Sequence, residues 1–123
     1  MKYGAWDIGG KVVKKDERYV VKDNEELNNL VVSSTDLFPL KATTGHRHAG
    51  QEEVYIFIEG SGFMQLDDDK FEVRAGDTVL IKDGVFHRVE AMENGCRFIC
   101  VFDGRRKTHL PIDIEEQMRQ EDA

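Results

Sequence analysis

Two histidines in the middle of the chain are spaced so that both can bind one metal ion. His46 and His48 are separated by a single residue, and on an extended strand residues i and i+2 point to the same face. Both imidazoles can therefore reach one ion while Arg47 points away. Because such pairs also occur on solvent-exposed strands, the motif needs support from residues elsewhere in the chain.

Two carboxylates and a third histidine supply that support. Glu52 and Glu53 follow the histidine pair after a short turn, and His87 lies at the start of a separate apolar segment. Three neutral imidazoles and one carboxylate suit one divalent transition metal ion, such as Mn, Fe, Co, Ni, Cu or Zn. Mg and Ca prefer sites made of oxygen alone. The spacing leaves open which of the two glutamates completes the set.

Short strands are predicted to position these side chains. Segments rich in Val, Ile, Phe and Tyr alternate with turns that contain Gly, Asp or Asn, which is typical of an all-β sandwich or barrel. Turns are predicted at residues 59–62, 67–70 and 75–77. The predicted strands are residues 18–21, 30–33, 37–43, 53–58, 62–66, 71–74, 78–81, 86–90 and 97–102.

Both ends of the chain depart from this pattern. Residues 1–17 are polar and rich in glycine, with Trp6 as an anchor, and we expect a short N-terminal arm there. In the tail, residues 111–123, Asp113 can cap a helix with Glu116 three positions later, which predicts a short C-terminal helix. Repeats and linkers are absent from the sequence, so we expect a single domain over residues 1–123.

The composition of the chain limits which classes of molecule it is expected to bind. The 123 residues suit one domain, and 17 Lys+Arg against 24 Asp+Glu give a formal charge of −7. An acidic chain is a poor partner for nucleic acid or for an anionic membrane. No apolar run has the length of a signal peptide core or a membrane span. Cys96 and Cys100 lie about 13 Å apart on a strand, too far to pair, and we expect buried thiols in a cytoplasmic protein.

The segments around the histidines resemble the two sequence motifs of the cupin superfamily. The first motif, G-x5-H-x-H-x(3 or 4)-E-x6-G, is matched by His46, His48, Glu53 and Gly60. The second motif, G-x5-P-x-G-x2-H-x3-N, is matched by Gly76, Gly84 and His87. Three motif positions differ, and none of them is a metal ligand: Leu40, Lys82 and Ala91.

The resemblance covers about residues 30–103 and implies a double-stranded β-helix, the jelly-roll barrel of the cupins. It implies one divalent metal ion (Mn, Fe, Zn, Ni or Co) bound by His46, His48, Glu53 and His87. Glu53 is favoured over Glu52 because it keeps the six-residue spacing to Gly60.

Strand periodicity assigns the two faces of residues 53–58. If Glu53 points into the barrel, Tyr55 and Phe57 do so too and form an apolar wall beside the ion. The alternate residues then form an outer apolar face that needs a cover: Val54, Ile56 and Ile58. We therefore expect a homodimer.

Several reactions remain open, because cupins include enzymes of many classes and non-enzymatic binders. The leading hypothesis is a sugar or sugar-phosphate isomerase in which the metal acts as a Lewis acid on a small sugar-like or oxo-acid substrate. Candidate catalytic bases are Glu52, Tyr55, Gln65 and His109. The alternatives are an Fe(II)-dependent dioxygenase, with a dry pocket that Tyr55, Phe57, Phe63 and Phe98 could line, and a non-catalytic module that binds a metal or a small ligand.

Overall fold

The computed structural model describes residues 1–104 of the chain, and within that range it is built from seven antiparallel strands. The predicted all-β jelly-roll class is confirmed. The described residues contain no helix, and so none that could cross a membrane. The predicted C-terminal helix lies outside the described residues. The strands are β1 (Lys11–Lys15), β2 (Tyr19–Asn24), β3 (Leu30–Leu37), β4 (Glu53–Leu66), β5 (Asp69–Arg74), β6 (Thr78–Ile81) and β7 (His87–Asp103).

The strands follow the order β1-β2-β3-β7-β4-β5, and β6 pairs with β4 beside this path. β4 therefore has three partners: its first half pairs with β6, its second half with β5, and both halves with β7. The sheet can close into a barrel because β4 is long enough to pair with different strands on the two sides of the barrel. The hairpin turn predicted after Leu66 joins β4 to β5.

The two longest strands differ from the sequence prediction. Residues 59–62 do not form a turn but continue β4, and residues 91–96 likewise continue β7. The register shifts twice where these strands pair, between Phe57 and Glu59 and between Gly60 and Gly62, as it does at β-bulges. Gly60 has φ +77°, and a Cβ built there would lie 2.0 Å from the Gly95 carbonyl oxygen. The glycines that suggested turns therefore permit a close approach of two backbones.

Two other strand predictions were wrong. β1 was missed inside the region assigned to the arm, where it pairs with β2 at the edge of the sheet. The strand predicted at residues 37–43 does not form beyond Leu37, because Pro39 lacks an amide proton and Leu40 adopts φ +63°. Only an isolated bridge from Ala42 to β7 remains of it.

Aromatic rings fill the barrel on the face that periodicity assigned to the interior. Tyr55, Phe57 and Phe98 are each at most 1% exposed. The Tyr55 and Phe98 rings are stacked with centroids 5.1 Å apart, and such contacts add to the burial of apolar area. Phe63 instead points outward, 37% exposed, with the Lys70 ammonium over its ring, so its predicted place in the pocket wall was wrong.

The N-terminal arm is fixed to the outside of the barrel by Arg97. This side chain is 7% exposed; its Nε and Nη2 donate to the Ala5 carbonyl oxygen at 3.1 and 2.9 Å. Its Nη1 donates to Asp36 at 2.7 Å, and its guanidinium lies 5.5 Å from the centre of the Trp6 ring. A buried cation from β7 therefore anchors the arm, while Trp6 itself remains 61% exposed.

Candidate metal centre

The three histidines and Glu53 come from three separate parts of the chain that meet at one end of the barrel. His46 and His48 lie in the connection between β3 and β4, Glu53 is the first residue of β4, and His87 is the first residue of β7. His46 and His87 are antiparallel bridge partners. The His46 amide donates to the His87 carbonyl at 3.1 Å, and the His87 amide donates to the His46 carbonyl at 2.9 Å.

The segment before His46 is held against β7 by backbone contacts. The Thr43 amide donates to the Val89 carbonyl at 2.9 Å, and the Val89 amide donates to the Thr43 hydroxyl at 3.0 Å. Gly45, at φ +92°, passes close to the Phe86 ring, where a Cβ would lie 2.6 Å from a ring carbon. These contacts explain how a segment without regular strand structure delivers its histidines to the interior.

The four side chains form one compact, buried cluster. Each offers one ligand atom, and these atoms all lie within 4.8 Å of one another. The side chains are 2–6% exposed: His46, His48, Glu53 and His87. Glu53 Oε1 lies 2.8 Å from His48 Nε2 and 3.8 Å from His87 Nε2. The sequence prediction placed these four residues together, and the structure does so.

The donor atoms fit a transition metal ion. Bonds of about 2.1 Å would place neighbouring ligands of an octahedral ion about 3.0 Å apart and opposite ligands about 4.2 Å apart. The two Glu53 distances fall close to this range. Both ring nitrogens of His48 are buried, and neither forms a hydrogen bond with any atom of residues 1–104, although Nε2 lies close to the Glu53 carboxylate. A short contact without hydrogen-bond geometry is expected of two ligands that face a common ion.

A backbone carbonyl orients the third imidazole. His87 Nδ1 lies 3.1 Å from the Val85 carbonyl oxygen. Because a carbonyl oxygen only accepts, Nδ1 must carry the proton, and Nε2 presents its lone pair to the cluster when the ring is neutral. Such a second hydrogen bond is a usual feature of histidines that bind metals. Residue types in the sequence could not reveal it, since the partner is main chain.

An aromatic ring adjoins the cluster, and the two cysteines lie outside it. The Tyr55 ring lies edge-on to His87 with centroids 5.6 Å apart, and Tyr55 faces Cys100 across the β4–β7 pair. Both cysteines are free and buried, as expected. Burial raises the pKa of the Cys96 thiol to about 11, so this thiol stays protonated at neutral pH. Neither cysteine belongs to the described ligand cluster.

Glu52 lies apart from the cluster. Its side chain is exposed, and it lines an outer cavity of about 510 Å³ together with Val54 and Val101. Gln51, which the sequence did not single out, is 5% exposed, and its Nε2 donates to the Asp103 carbonyl oxygen at 2.9 Å. This bond ties the segment before Glu53 to the end of β7. The sequence contained one indication that Gln51 is structurally important: it is a polar residue that lies between predicted metal ligands.

Comparison with known proteins agrees with this description. The family model described as "Cupin domain" matches residues 38–102, more than half of the chain. KdgF from a Halomonas species has a similar structure (TM-score 0.70, 18% identity, 81% of this chain and 93% of KdgF). So does oxalate decarboxylase from Lactobacillus farciminis, solved as a formate complex (TM-score 0.64, 23% identity, 73% of this chain and 29% of that one).

A curated relative matches a shorter part of the chain. The uncharacterized protein MJ1618 of Methanocaldococcus jannaschii is 45% identical over 49 residues, which are 40% of this chain and 39% of the relative. The match therefore spans well under half of either protein.

A small antiparallel barrel with a buried cluster of three histidines and one glutamate defines a class of proteins with a site able to hold a metal ion. Because the family model spans both histidine segments, this chain belongs to the cupin family.

Proposed function

We propose that this chain is a metal-dependent isomerase of a small, oxygen-rich substrate, a sugar or a sugar phosphate. The observation that carries the proposal is the buried ligand set of His46, His48, Glu53 and His87, whose donor atoms lie within 4.8 Å of one another. These four residues would hold a divalent ion, and a hydroxy-ketone or a related oxo acid would offer two further oxygens to it. A bound divalent ion supplies Lewis acidity, which polarises a carbonyl group.

The side chains around the cluster have distinct roles in this proposal. Glu53 contributes the negative charge that partly offsets a divalent cation, and the Val85 carbonyl keeps the His87 ring in the correct tautomer. Tyr55 is the proposed proton-transfer group. Its ring lies inside the barrel beside His87, and a buried phenol can donate a hydrogen bond to a substrate oxygen or exchange a proton with it.

Glu52 is the weaker of the two predicted catalytic residues. Its side chain is exposed and lines the outer cavity, whereas Glu53, the next residue and the first of β4, points inward with 6% exposure. The Glu52 carboxylate therefore lies outside the barrel interior. The proposal therefore assigns the acid–base role to Tyr55.

The second candidate is an Fe(II)-dependent dioxygenase. The observation that favours it is the aromatic wall of Tyr55, Phe57 and Phe98, all at most 1% exposed. A water-poor wall of this kind suits chemistry with O₂, and three imidazoles and a carboxylate suit iron. A third candidate, a cupin that binds a metal or a small ligand without catalysis, rests on the same cluster.

Elemental analysis of the untagged, dialysed protein separates these candidates. About one Mn, Zn, Co or Ni per chain, with interconversion of aldose and ketose sugars or their phosphates, would support the isomerase. Iron together with substrate-dependent oxygen consumption would favour the dioxygenase. Metal without turnover of either kind would favour the binding module. No metal after reconstitution would contradict both enzyme candidates and leave a module that binds a small ligand.

Substitution of Tyr55 tests its proposed role. Tyr55→Phe keeps the ring that packs on Phe98 and removes only the hydroxyl, so the metal content should stay the same. General acid–base groups contribute about 10²–10⁴-fold to a rate, and kcat should fall by that order. A Tyr55→Phe variant with unchanged kcat would exclude Tyr55 as the proton-transfer group.

The proposal also includes a homodimeric, cytoplasmic protein whose partner is a small molecule rather than nucleic acid or a membrane. The acidic balance of the chain argues against nucleic acid and an anionic membrane as partners, and the free, buried cysteines favour the cytoplasm. The apolar outer face of β4 and β6, where Leu80 is 70% and Ile56 36% exposed, favours a homodimer.

A further inference from the structure

The segment that joins the ligands His48 and Glu53 belongs to no strand. Residues 49–52 form a turn followed by two residues without regular structure, and only Gln51 among them is buried. We call residues 49–52 the ligand loop. Its outer side faces the outer cavity of about 510 Å³, which residues 50–53 help to line, so packing on that side does not hold the loop in place.

Two side-chain hydrogen bonds tie the ligand loop to the rest of the barrel. Asp83 Oδ1 accepts a hydrogen bond from the Gly50 amide at 2.7 Å, and Gln51 Nε2 donates to the Asp103 carbonyl oxygen at 2.9 Å. Asp83 lies in the connection between β6 and β7, and Asp103 is the last residue of β7. Consecutive residues of the loop are therefore held by two different parts of the chain.

Residues 82–86, which connect β6 to β7, also contact both histidine segments. The Gly84 amide donates to the His48 carbonyl oxygen at 3.0 Å. The Val85 carbonyl oxygen lies 3.1 Å from Nδ1 of His87. A shift of the ligand loop away from this connection would therefore separate ligands that now share one cluster.

We infer that Asp83 and Gln51 are positioning residues of the metal centre. Their hydrogen bonds keep the ligand loop against the barrel, and the His48 imidazole and the Glu53 carboxylate at its two ends, whose nearest atoms are 2.8 Å apart, stay directed at one ion. Groups that orient ligands in this way commonly determine how tightly a metal is held. The inference rests on the metal centre of the proposed function and deepens it, because neither residue is itself a ligand.

The burial of Gln51 supports this role. Its side chain is 5% exposed, and its Oε1 has no hydrogen-bond partner within the described range. A buried acceptor without a partner lowers stability, so the stability of the fold alone favours an apolar side chain of similar size at this position. Such a side chain would lose the bond from Nε2 to β7. Gln51 therefore serves the position of the ligand loop rather than the stability of the barrel.

The rate at which Zn²⁺ leaves the loaded, full-length chain tests the inference. A coloured chelator in excess captures the ion as it dissociates, and its absorbance gives the dissociation rate. Asp83→Ala removes the acceptor and should raise this rate by about tenfold or more, since loss of a group that supports a ligand costs about 10–100-fold in affinity. Asp83→Asn keeps an acceptor oxygen without the charge, so its rate should lie between those of the wild type and Asp83→Ala.

Two further variants complete the test. Gln51→Met removes the donor at similar side-chain size and should also raise the dissociation rate by about tenfold or more. Asp77→Ala is the matched control, because the Asp77 carboxylate accepts a hydrogen bond from the Arg74 amide at 2.9 Å in the turn between β5 and β6. This variant loses the same kind of bond as Asp83→Ala, and it should release Zn²⁺ at the wild-type rate.

The outcomes distinguish this inference from the metal centre on which it rests. A dissociation rate of Asp83→Ala or of Gln51→Met equal to that of the wild type would overturn the role of that residue and leave the metal centre intact. Equally fast release from Asp77→Ala would overturn the inference as well, because the effect would then follow from a general loss of stability. A wild-type chain that takes up no Zn²⁺ after reconstitution would contradict the metal centre itself and, with it, the inference.

Discussion

Removal of the Glu53 charge should separate metal binding from the stability of the fold. In Glu53→Gln one ligand loses its charge while its size is kept, and three histidines remain in place. The measurement is the melting temperature of the chain with metal removed by a chelator and again after addition of Mn²⁺ or Zn²⁺. The informative quantity is the increment on metal addition, because any change in the metal-free protein cancels in it.

The expected increments follow from the chain length and from mass action. Unfolding entropy of about 2.1 cal/mol/K per residue gives about 0.26 kcal/mol/K for 123 residues. A free metal concentration of 100 times the Kd stabilises the wild type by about 2.7 kcal/mol, or about 10 °C. Substitutions of groups that merely support ligands cost about 10–100-fold in affinity. At a 100-fold loss the same metal concentration stabilises Glu53→Gln by about 0.4 kcal/mol, or under about 2 °C.

Glu52→Gln is the matched control, since it makes the same chemical change at the adjacent residue, whose side chain is exposed outside the cluster. Its increment should equal that of the wild type. An increment near 10 °C in Glu53→Gln together with a lost increment in Glu52→Gln would show that the carboxylate was assigned to the wrong glutamate. An increment near 10 °C in both variants would place the ion elsewhere.

Three further predictions concern the barrel that supports the site. Gly60→Ala should lower the free energy of unfolding in urea by well over about 2 kcal/mol, because its Cβ would lie 2.0 Å from a backbone oxygen. Gly76→Ala is the control: φ is +98° there and nothing lies within 4 Å of the added Cβ, so backbone strain alone should cost about 1–2 kcal/mol. Arg97→Met should release the N-terminal arm and make residues 1–10 sensitive to limited proteolysis. Stability should fall by about 2 kcal/mol, a moderate loss because the Asp36 partner is half exposed. An arm that remains resistant to proteolysis would contradict the role of Arg97 in holding it. Hydrogen bonds from Arg88 and Lys70 lower the pKa of Glu90. The wild type should therefore be more stable than Glu90→Gln above about pH 4.5, and it should lose this advantage as the pH falls through the lowered folded-state pKa. Denaturation curves at pH 7 and pH 3 should show a difference in this advantage of about 0.5 kcal/mol.

The part of the structure that follows from side-chain periodicity was predictable. Alternation at the start of β4 placed Glu53, Tyr55 and Phe57 on one face and Val54 and Ile56 on the other, and burial follows this pattern. The resemblance to the two cupin motifs then implied that the distant histidine segments meet. The first inference depends on local geometry and residue type, which the sequence contains directly, and the second depends on the motif match.

The part that depends on backbone approach was not predictable. A glycine in an apolar sequence usually suggests a turn, yet Gly60 and Gly62 allow the backbone of β4 to approach that of β7 closely. β1 was missed because its lysines and exposed valines are typical of polar segments as well as of edge strands. Phe63 was misplaced because the register shifts before Gly62, and a bulge reverses the face on which later residues lie.

The paired backbone bonds between His46 and His87 have a consequence for how this site can change over time. The amide and carbonyl groups that join the two segments belong to every amino acid except proline, which lacks the amide proton. Replacing either imidazole alters the chemistry offered at that position, while the main-chain frame that sets the position remains. New ligand combinations can therefore arise at this site by single substitutions, without a new fold.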